Sequence, residues 1–533
     1  MKNKNPTMIK INTLFTLCVW TLFSQAQTPN ILLIIGDDIG TDALNGYTTQ
    51  NVKASTPTLD SLRNIGIAFT NAWAAPVCTP TRASIMSGKH GSKTGVYGVP
   101  GNLDTSHFSM LRKLDAENTG YAKAVIGKWH ISQPTDPEHP FLHGADYYTG
   151  FMSGAPADYF AWSHTDDGNT QTNNDYVTTV FTDSAINWVG RQNEPWLLWL
   201  AHASAHTPFH VPPIHMYSIN NAGQNNRRMF LAMIESLDYE INRLLTSMST
   251  TQRENTLVIF MGDNGTPGGV LKDYPTGHAK GSVYEGGVRV PFIVAGKGVS
   301  RKGEVEPSMI NVLDLHATVL EVAGVELEGG LYNSLSFTHL LTDKTGLTRN
   351  YNYIEVKQND EYNWAIRDSQ YKLIQFDDGS QQFFDLLADS FEYNPIDLNS
   401  LTAAQQSILA DLETEANIRQ SSWSCRDLIK NGDETGIDCG GSLCNPCTGS
   451  VGGPISGTIH IYPNPTSGIV TLSKTKENIT GIKVYNAMGA LILEKINHKS
   501  KEITLDFSMI QPDILVLEIL TEFGTTYKKV VKW

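Results

Sequence analysis

The stretch NILLIIGDDIG, residues 30–40, is a continuous apolar run that ends in a pair of aspartates. A second stretch, TLVIFMGDNG at residues 256–265, repeats the arrangement with an aspartate and an asparagine. Strands covered by helices on both faces of a sheet have continuous apolar runs of this kind, because neither face meets water. The two stretches therefore predict two strands of an α/β sheet.

The polar ends of these two strands are oxygen donors: Asp37, Asp38, Asp263 and Asn264. Open α/β sheets bind ligands at the carboxyl ends of their strands, so we expect the four side chains to share one site. Carboxylate and amide oxygens suit a hard divalent cation such as calcium or magnesium and do not suit zinc. An Asp-Asp pair after one strand is commonly a turn or a helix cap, but its repetition favours a metal site.

Other apolar segments extend the same pattern over residues 28–345. AVIG, WLLWLA and PFIVAG alternate with helical stretches such as 229–249. This alternation predicts a main α/β domain in which a sheet lies between helices. Residues 346–420 instead contain short strands and one closing helix, which predicts a smaller antiparallel subdomain.

The C-terminal part of the chain is a Cys-rich linker, residues 421–454, followed by residues 455–533. The last segment has short alternating strands separated by turn residues, which predicts a small β-sandwich. In an oxidising compartment the four linker cysteines are expected to form two disulfides of unassigned pairing, with a zinc site as the alternative. They are Cys425, Cys439, Cys444 and Cys447.

The N-terminus, residues 1–26, has the pattern of a secretory signal peptide, with a buried first helix as the alternative. Lysines precede the apolar stretch INTLFTLCVWTLF, and SQAQ supplies small residues for cleavage. The stretch is too short to span a membrane and no later run is long enough, so we expect a secreted protein without a transmembrane segment. Cys18 leaves with the signal peptide, which makes Cys78 the one remaining cysteine outside the linker.

The 533-residue chain is acidic, with a net charge of −14 and a pI near 5.5. This charge argues against nucleic acid as a partner, and an anionic substrate must be held by local cations. Three segments beside apolar strands supply cations and imidazoles: GKWH, AHTPFH and KGSVYEGGVRVP. Together with the metal they predict a positive pocket suited to a tetrahedral oxyanion ester. Their residues of interest are Lys128, His130, His206, His210, Lys280 and Arg289.

The stretch CTPTRASIMSG, residues 78–88, contains Cys-x-Pro-x-Arg and then small residues, and we expect a helix to start at Pro80. It resembles the signature of the type I sulfatases, and GDD, GKWH, HTP, GDNG and KGSVYEGGVRVP occur in that family's order. The resemblance covers about residues 28–420. It implies an alkaline-phosphatase-like fold, one bound calcium ion, and oxidation of Cys78 to Cα-formylglycine (3-oxoalanine) by a formylglycine-generating maturation enzyme.

The resemblance also implies a role for each matched residue. Arg82 and Lys128 orient the nucleophile formed by the hydrated formylglycine, and Lys128 and Lys280 hold the sulfate oxygens. His130 is the base that releases sulfate, and His206, with Lys280, is the general acid at the leaving oxygen. The implied calcium ligands are Asp37, Asp38, Cys78, Asp263 and Asn264.

Several residues lie outside the tight motif matches. We consider His202 and His210 candidate substrate contacts and Arg289 a structural ion-pair partner. Aromatic residues between 131 and 180 are able to stack on sugar rings, although aromatics in loops are as often local packing. They are Tyr147, Tyr148, Phe151, Tyr159 and Trp162.

The tail has a resemblance of its own. IYPNPTSG, IKVYNAMGALI and the final YKKVVKW are similar to the C-terminal sorting domain of the type IX secretion system of Bacteroidota. The stretch QPDILVLEI departs from that pattern, which usually has a glycine there, and a carbohydrate-binding sandwich is the alternative. The resemblance implies export through the periplasm by the type IX machinery, to the medium or the cell surface.

Together these features predict an exported sulfatase that acts on sulfated polysaccharides or their oligosaccharides. Algal glycans such as ulvan, carrageenan or fucoidan are the first expectation, and glycosaminoglycans are the second. One alternative is a phosphodiesterase or phosphonate monoester hydrolase of the same superfamily. Another is a catalytically inactive surface protein that only binds glycans.

Overall fold

The computed structural model describes residues 28–48, 51–193, 195–327, 331–346 and 348–421, and shorter pieces between 459 and 532. The chain divides into two compact units, Met1–Asp427 and Leu428–Trp533. The expected signal peptide and the four linker cysteines lie outside the described residues. No helix within the described segments is long and apolar enough to cross a membrane.

The first unit is built on a large mixed sheet. Its strand order is β10-β2-β9-β8-β1-β7-β3-β4-β5-β6. The strands are β1 (Asn30–Gly36), β2 (Gly66–Trp73), β3 (Ala122–Lys128), β4 (Tyr147–Phe151), β5 (Trp162–Asp166), β6 (Asn169–Asn173), β7 (Trp196–Ala201), β8 (Thr256–Gly262), β9 (Phe292–Gly296) and β10 (Glu304–Asn311).

Helices connect these strands and cover both faces of the sheet. The described helices are α1 (Pro57–Ile65), α2 (Cys78–Ser87), α3 (Gly91–Thr94), α4 (Met110–Ala116), α5 (His139–Leu142), α6 (Val177–Val189), α7 (Asn226–Ser247), α8 (Thr250–Glu254), α9 (Glu285–Val288), α10 (Asp314–Val322) and α11 (Ala403–Ser421). Successive residues of β1 pack into the hydrophobic cores on opposite faces of the sheet. One core contains Ile31, Leu33 and Ile35, and the other contains Leu32 and Ile34. The continuous apolar run of β1 is thus explained by burial on both faces.

The centre of the sheet is parallel. β1 pairs in parallel with β7 on one side and with β8 on the other, and β7 pairs in parallel with β3. The carboxyl ends of these four strands therefore meet at one edge of the sheet. This edge carries the segments that the sequence motifs single out.

A smaller antiparallel sheet follows, with the order β11-β12-β13-β14. One of its faces packs against α11, and the other packs against Val77, Val283 and Val288, which flank the segments that begin α2 and α9. The small sheet thereby supports two segments that reach the edge described above. Its strands are β11 (Asn352–Gln358), β12 (Glu361–Arg367), β13 (Tyr371–Gln375) and β14 (Gln381–Asp385).

The second unit contains two antiparallel sheets, β15-β16-β19 and β18-β17-β20-β21. Both contribute to one apolar core that includes Val470, Leu505 and Leu517. The strands are β15 (Ile459–Tyr462), β16 (Ile469–Lys474), β17 (Ile479–Tyr485), β18 (Leu491–Ser500), β19 (Glu502–Asp506), β20 (Asp513–Thr521) and β21 (Gly524–Lys532).

The predicted fold class is confirmed: an α/β sheet between helices, a smaller antiparallel sheet and an all-β tail. The sequence pattern did not predict β5 and β6, because WSHTD and NTQTN are polar strands at the edge of the sheet. It also did not predict β2 and β10, where polar residues interrupt the apolar positions.

Gly127 is a position where the sheet tolerates no side chain. Its φ is 108°, and a Cβ there would lie 2.0 Å from the carbonyl oxygen of Ala201 on the neighbouring strand. We expect Gly127→Ala to lower the free energy of unfolding by about 3 kcal/mol or more, because backbone strain adds to a clash with a strand that is itself packed. Urea denaturation followed by tryptophan fluorescence measures this loss.

Gly298 is the matched control. Its φ is 85°, and a Cβ there would meet no atom within 4 Å. Gly298→Ala is expected to lower the free energy of unfolding by only about 1–2 kcal/mol, the cost of backbone strain without a clash. Equal losses for the two variants would contradict the assignment of a steric role to Gly127.

Candidate active site

Cys78 lies at the first position of α2, buried to 2% exposure at the edge where the central strands end. The helix begins there rather than at Pro80, because Val77 is already the extended N-cap residue. The first backbone N–H groups of a helix have no partner within the helix and carry partial positive charge. An anionic oxygen on the Cys78 side chain would therefore be stabilised by α2.

Three carboxylates surround Cys78 at the ends of β1 and β8. Asp37, Asp38 and Asp263 are all buried, with exposures of 0%, 1% and 0%. Ligand atoms of Asp37, Cys78 and Asp263 lie within 4.8 Å of one another, and Asp37 and Asp38 form a similar group with His206. The structure thus brings the two strand ends together at the cysteine.

Each carboxylate has a cation as its partner. Lys128 Nζ donates to Asp37 Oδ2 at 2.5 Å, and Lys280 Nζ donates to Asp38 Oδ1 at 2.5 Å. An Arg82 guanidinium N–H donates to Asp263 Oδ2 at 2.7 Å. The three lysine and arginine charges match the three carboxylates, so these six groups sum to no net charge.

Burial and charge act in opposite directions on these groups. Burial would raise the pKa of Asp38, but the charges of Lys280 and His206 hold it below its usual 3.8. Burial opposes the charged guanidinium of Arg82, but Asp263 and Asp37 raise its pKa above its usual value. A carboxylate at Asp38 and a guanidinium at Arg82 are therefore the stable forms.

Two buried oxygens in this cluster fit a metal ion. Asp37 Oδ1 and Asn264 Oδ1 have no hydrogen-bond partner among the described residues. The amide nitrogen of Asn264 donates to Asp38 Oδ1 at 2.8 Å and to the carbonyl of Gly265 at 3.0 Å, which leaves its oxygen for another ligand. Unpartnered buried oxygens cost stability, and a hard divalent cation would satisfy both.

His130 lies directly against the cysteine. Its Nδ1 is 3.2 Å from Cys78 Sγ and 3.2 Å from Thr79 Oγ1. Burial, with added repulsion from Lys128 and Arg82, lowers the pKa of His130 from 6.5 to about 2. The imidazole is therefore neutral in this environment, with Nδ1 beside the Cys78 side chain. Thr79 is a neighbour of the site that the motif analysis missed.

His206 approaches from the loop after β7. Its Nδ1 lies 2.8 Å from the carbonyl oxygen of Thr207, which accepts its hydrogen bond, and Nε2 lies 3.8 Å from Asp38 Oδ2. The hydroxyl of Tyr159 is 2.7 Å from the carbonyl oxygens of both Ala203 and His206. This anchor was not predicted, because a buried tyrosine in a loop carries no sequence signal of its contacts.

The residues outside the tight motifs have other environments. His202 is fully buried, with neither ring nitrogen bonded to a described residue, and burial lowers its pKa to about 3. The expectation of a substrate contact at His202 is therefore wrong, because its side chain lies inside the core beside Phe181. Arg289 donates to the carbonyl of Thr70 at 2.6 Å and helps to lower the pKa of Glu285.

The structure also changes the expectation for the aromatic residues. Tyr148, Phe151, Tyr159 and Trp162 are at most 3% exposed and pack within the domain, so they are not free to stack on a ligand. Tyr147 is partly exposed and donates to Asp166 at 2.8 Å. Four of the five lie in strands β4 and β5, and Tyr159 lies in an exposed turn with its own side chain buried.

Comparison with known proteins agrees with this geometry. A sulfatase family model matches residues 29–325, which is more than half of the chain. A model of the N-sulphoglucosamine sulphohydrolase C-terminal region matches residues 277–420, and a secretion system C-terminal sorting domain matches residues 460–533. The chain therefore belongs to the sulfatase family of sulfuric ester hydrolases and carries a sorting domain at its C-terminal end.

The curated relatives have low sequence identity to the chain but match it over more than half of its length. The chain is 27% identical over 399 residues to the uncharacterized sulfatase YdeN of Escherichia coli K12, across 63% of this chain and 70% of that protein. It is 26% identical to arylsulfatase J of Mus musculus, across 56% of this chain and 53% of the relative. It is 24% identical to a sulfatase of Formosa agariphila, across 80% of this chain and 94% of the relative.

Solved structures share the fold. Ps i-CgsB is 25% identical with a TM-score of 0.64, and the match covers 74% of this chain and 95% of that one. The PsFucS1 sulfatase from Pseudoalteromonas sp. is 21% identical with a TM-score of 0.59, across 74% and 92%. BT4656, solved with D-glucosamine-2-N,6-O-disulfate, is 19% identical with a TM-score of 0.62, across 74% and 98%.

If the carboxylate cluster binds calcium, Asp263 is one of the expected ligands. Asp263→Asn removes an anionic ligand, so we expect calcium affinity to fall by about 100-fold or more, beyond the loss seen when outer residues of metal sites are changed. The calcium content of protein equilibrated with calcium and desalted measures this loss, with elemental analysis as the readout. Retention of full calcium by the variant would show that the ligand assignment is wrong.

Asp273→Asn is the matched control. Asp273 is equally buried at 0% exposure, but its carboxylate pairs with Lys53 away from this cluster. The variant is expected to lose stability and to keep its calcium. Loss of calcium from both variants would indicate general unfolding instead of removal of a ligand.

Proposed function

We propose that this chain is an exported sulfatase that hydrolyses sulfate esters of polysaccharides or oligosaccharides through a formylglycine formed from Cys78. The observation that carries the proposal is the position of Cys78. It lies at the first turn of a buried helix, among three carboxylates, three cations and a neutral histidine. A cysteine with only a packing role has no need for these groups.

The electrostatics fit an ester group with one negative charge, such as a sulfate monoester or a phosphate diester, and the Cys78 signature favours the sulfate ester. The carboxylates and cations of the cluster cancel, so a bound divalent calcium would leave the site positive, suited to a substrate group with one negative charge. Asp37, Asp38, Asp263 and Asn264, with the modified Cys78, would hold the ion. When bound, calcium supplies a Lewis acid that favours the anionic form of an oxygen on residue 78.

The cations have distinct tasks in this proposal. Arg82 is held by Asp263 and by the carbonyl of Lys128 at 2.8 Å, so it is fixed beneath the nucleophile. Lys128 is fully buried and Lys280 keeps 19% of its side chain exposed. We assign both lysines to the sulfate oxygens, with Lys280 on the more exposed side.

Two histidines move the protons. His130 Nδ1 lies 3.2 Å from the Cys78 side chain, so we assign it to take the proton of a hydroxyl on residue 78 as sulfate leaves. His206 donates through Nδ1 to a carbonyl and keeps Nε2 for the leaving oxygen. Its side chain is 19% exposed, which places it between the buried site and the substrate.

The substrate class follows from the tail and the relatives. The sorting domain supports export through the periplasm to the cell surface or the medium, where glycans are the abundant sulfate esters. Ps i-CgsB was solved in complex with k-i-k-neocarrahexaose and BT4656 with a disulfated glucosamine. We propose sulfated glycans as substrates, with algal glycans such as ulvan, carrageenan or fucoidan before glycosaminoglycans. A formylglycine-generating enzyme and the type IX machinery are the implied partners.

The modification at Cys78 is a separate prediction. In the native host, peptide mass spectrometry is expected to show residue 78 as an aldehyde that is lighter than cysteine and reacts with a carbonyl reagent. Cys78→Ala is expected to lower kcat/KM by about 10³-fold or more, as loss of a catalytic nucleophile does. Its unfolding transition is expected to stay close to that of the wild type, because only a small side chain is lost.

Full activity from protein in which residue 78 is an unmodified thiol would contradict the mechanism. Ala83→Gly is a control in the same helix, since it perturbs α2 without touching the reacting atoms. It is expected to lower stability by about 1 kcal/mol and to keep the modification.

A substrate panel tests the function itself. Oligosaccharides of ulvan, carrageenan, fucoidan and heparin are assayed for sulfate release beside 4-nitrophenyl sulfate and a phosphate diester. We expect faster release from at least one sulfated oligosaccharide than from the aryl sulfate, because remote binding energy serves the transition state. Hydrolysis of the phosphate diester alone would favour the phosphodiesterase alternative. Binding without any turnover would favour the inactive glycan-binding alternative.

A further inference from the structure

Phe160 is a large apolar side chain that stays 39% exposed beside the candidate active site. It follows Tyr159, whose hydroxyl anchors the carbonyl of His206. The stacking candidates Tyr148, Phe151, Tyr159 and Trp162 are buried. Phe160 is exposed, although the sequence pattern did not indicate it as a candidate. Single exposed apolar side chains are common on protein surfaces, so the case for a ligand here depends on the neighbours of Phe160.

The ring of Phe160 is held in a fixed aromatic group. It stacks on Tyr176 with ring centroids 5.0 Å apart and an interplanar angle of 25°, and it meets His210 edge-on at 5.7 Å. Tyr176 is itself buried to 6% exposure. Because Tyr176 covers one ring face, the exposed part of Phe160 belongs to the opposite face and the edges.

His210 forms a second wall of this group. Its Nδ1 lies 3.1 Å from the carbonyl oxygen of Pro208, and its Nε2 lies 3.2 Å from the hydroxyl of Tyr176. Both ring nitrogens therefore have partners within the protein, and the ring offers a surface rather than a free hydrogen-bonding group. The role expected for His210, a candidate substrate contact, becomes one of packing and shape.

The group is joined to the His206 segment, because the ring of Tyr159 lies 4.2 Å from that of His210 and its hydroxyl donates to the carbonyl of His206. His210 follows His206 by four residues, so the two are separated by at most about 14 Å of extended backbone. His206 faces the leaving oxygen in the proposed function, and the leaving group of a sulfated glycan is a sugar. A sugar chain that extends from that oxygen toward His210 would reach Phe160, whose ring lies 5.7 Å from that of His210.

We propose that Phe160, backed by Tyr176 and bordered by His210, is a stacking subsite for a sugar ring of the substrate. The inference deepens the proposed function and rests on it. A pyranose ring presents a face of C–H groups, which packs on an aromatic face through dispersion and burial of apolar area. The subsite binds a unit next to the one that carries the reacting sulfate, so it favours oligosaccharides over small aryl sulfates.

The test compares two substrates for one variant. For Phe160→Ala, the ratio of kcat/KM on the best oligosaccharide of the panel to kcat/KM on 4-nitrophenyl sulfate is expected to fall about 3- to 10-fold, the scale of one aromatic contact. The change is expected in KM for the oligosaccharide. Phe160→Tyr keeps the ring and is expected to restore the ratio.

Tyr393→Ala is the matched control, since Tyr393 is also an exposed aromatic, at 54%, on the smaller antiparallel subdomain. For Tyr393→Ala, the ratio of kcat/KM on the oligosaccharide to kcat/KM on 4-nitrophenyl sulfate is expected to equal that of the wild type. An unchanged ratio for Phe160→Ala, or a ratio that Phe160→Tyr fails to restore, would overturn the subsite.

Binding separates the subsite from the proposed function. Cys78→Ala protein is titrated calorimetrically with each oligosaccharide of the panel, with and without the added Phe160→Ala change. Weaker binding in the double variant supports the subsite even when the wild type releases no sulfate, which is the failure of the proposed function. Equal binding, or no binding of any oligosaccharide, overturns the subsite independently of turnover.

Discussion

Burial of three carboxylates side by side is the constraint on which the site depends. Asp37, Asp38 and Asp263 are removed from water, where like charges at close range are costly without compensation. Arg82, Lys128 and Lys280 provide that compensation. These partners come from α2, from β3 and from the loop before α9, so three distant parts of the chain must be placed correctly for the cluster to exist.

The parallel centre of the sheet provides that placement. β1 lies between β7 and β8, and β3 follows β7, so four strand ends open onto one edge. Gly127 allows β3 to approach β7 closely just before Lys128. The smaller sheet packs against Val77, next to Cys78, and against Val283, which follows Lys280. It thereby supports the segments that carry Cys78 and Lys280.

The site combines a rigid interior with a more open rim. Cys78, Arg82 and Lys128 are buried, and the Arg82 guanidinium is held by Asp263 and by the carbonyl of Lys128, whereas His206 and Lys280 keep part of their side chains exposed. This division fits a reaction in which the sulfate group is the same for every substrate and the attached sugar varies. In the proposed subsite, Phe160 would contact the part of the substrate that varies.

The amino-acid sequence by itself determined the fold class and the membership of the cluster. Continuous apolar runs require burial on both faces, and short motifs at strand ends carry their polar residues wherever those strands go. The cysteine signature and its neighbours in order were sufficient to indicate a sulfatase. Tertiary structure alone decided which residues near the site are buried and which are exposed. His202 and Tyr159 are buried and Phe160 is exposed, because burial depends on contacts between distant segments, such as Tyr159 with the His206 loop and Phe160 with Tyr176.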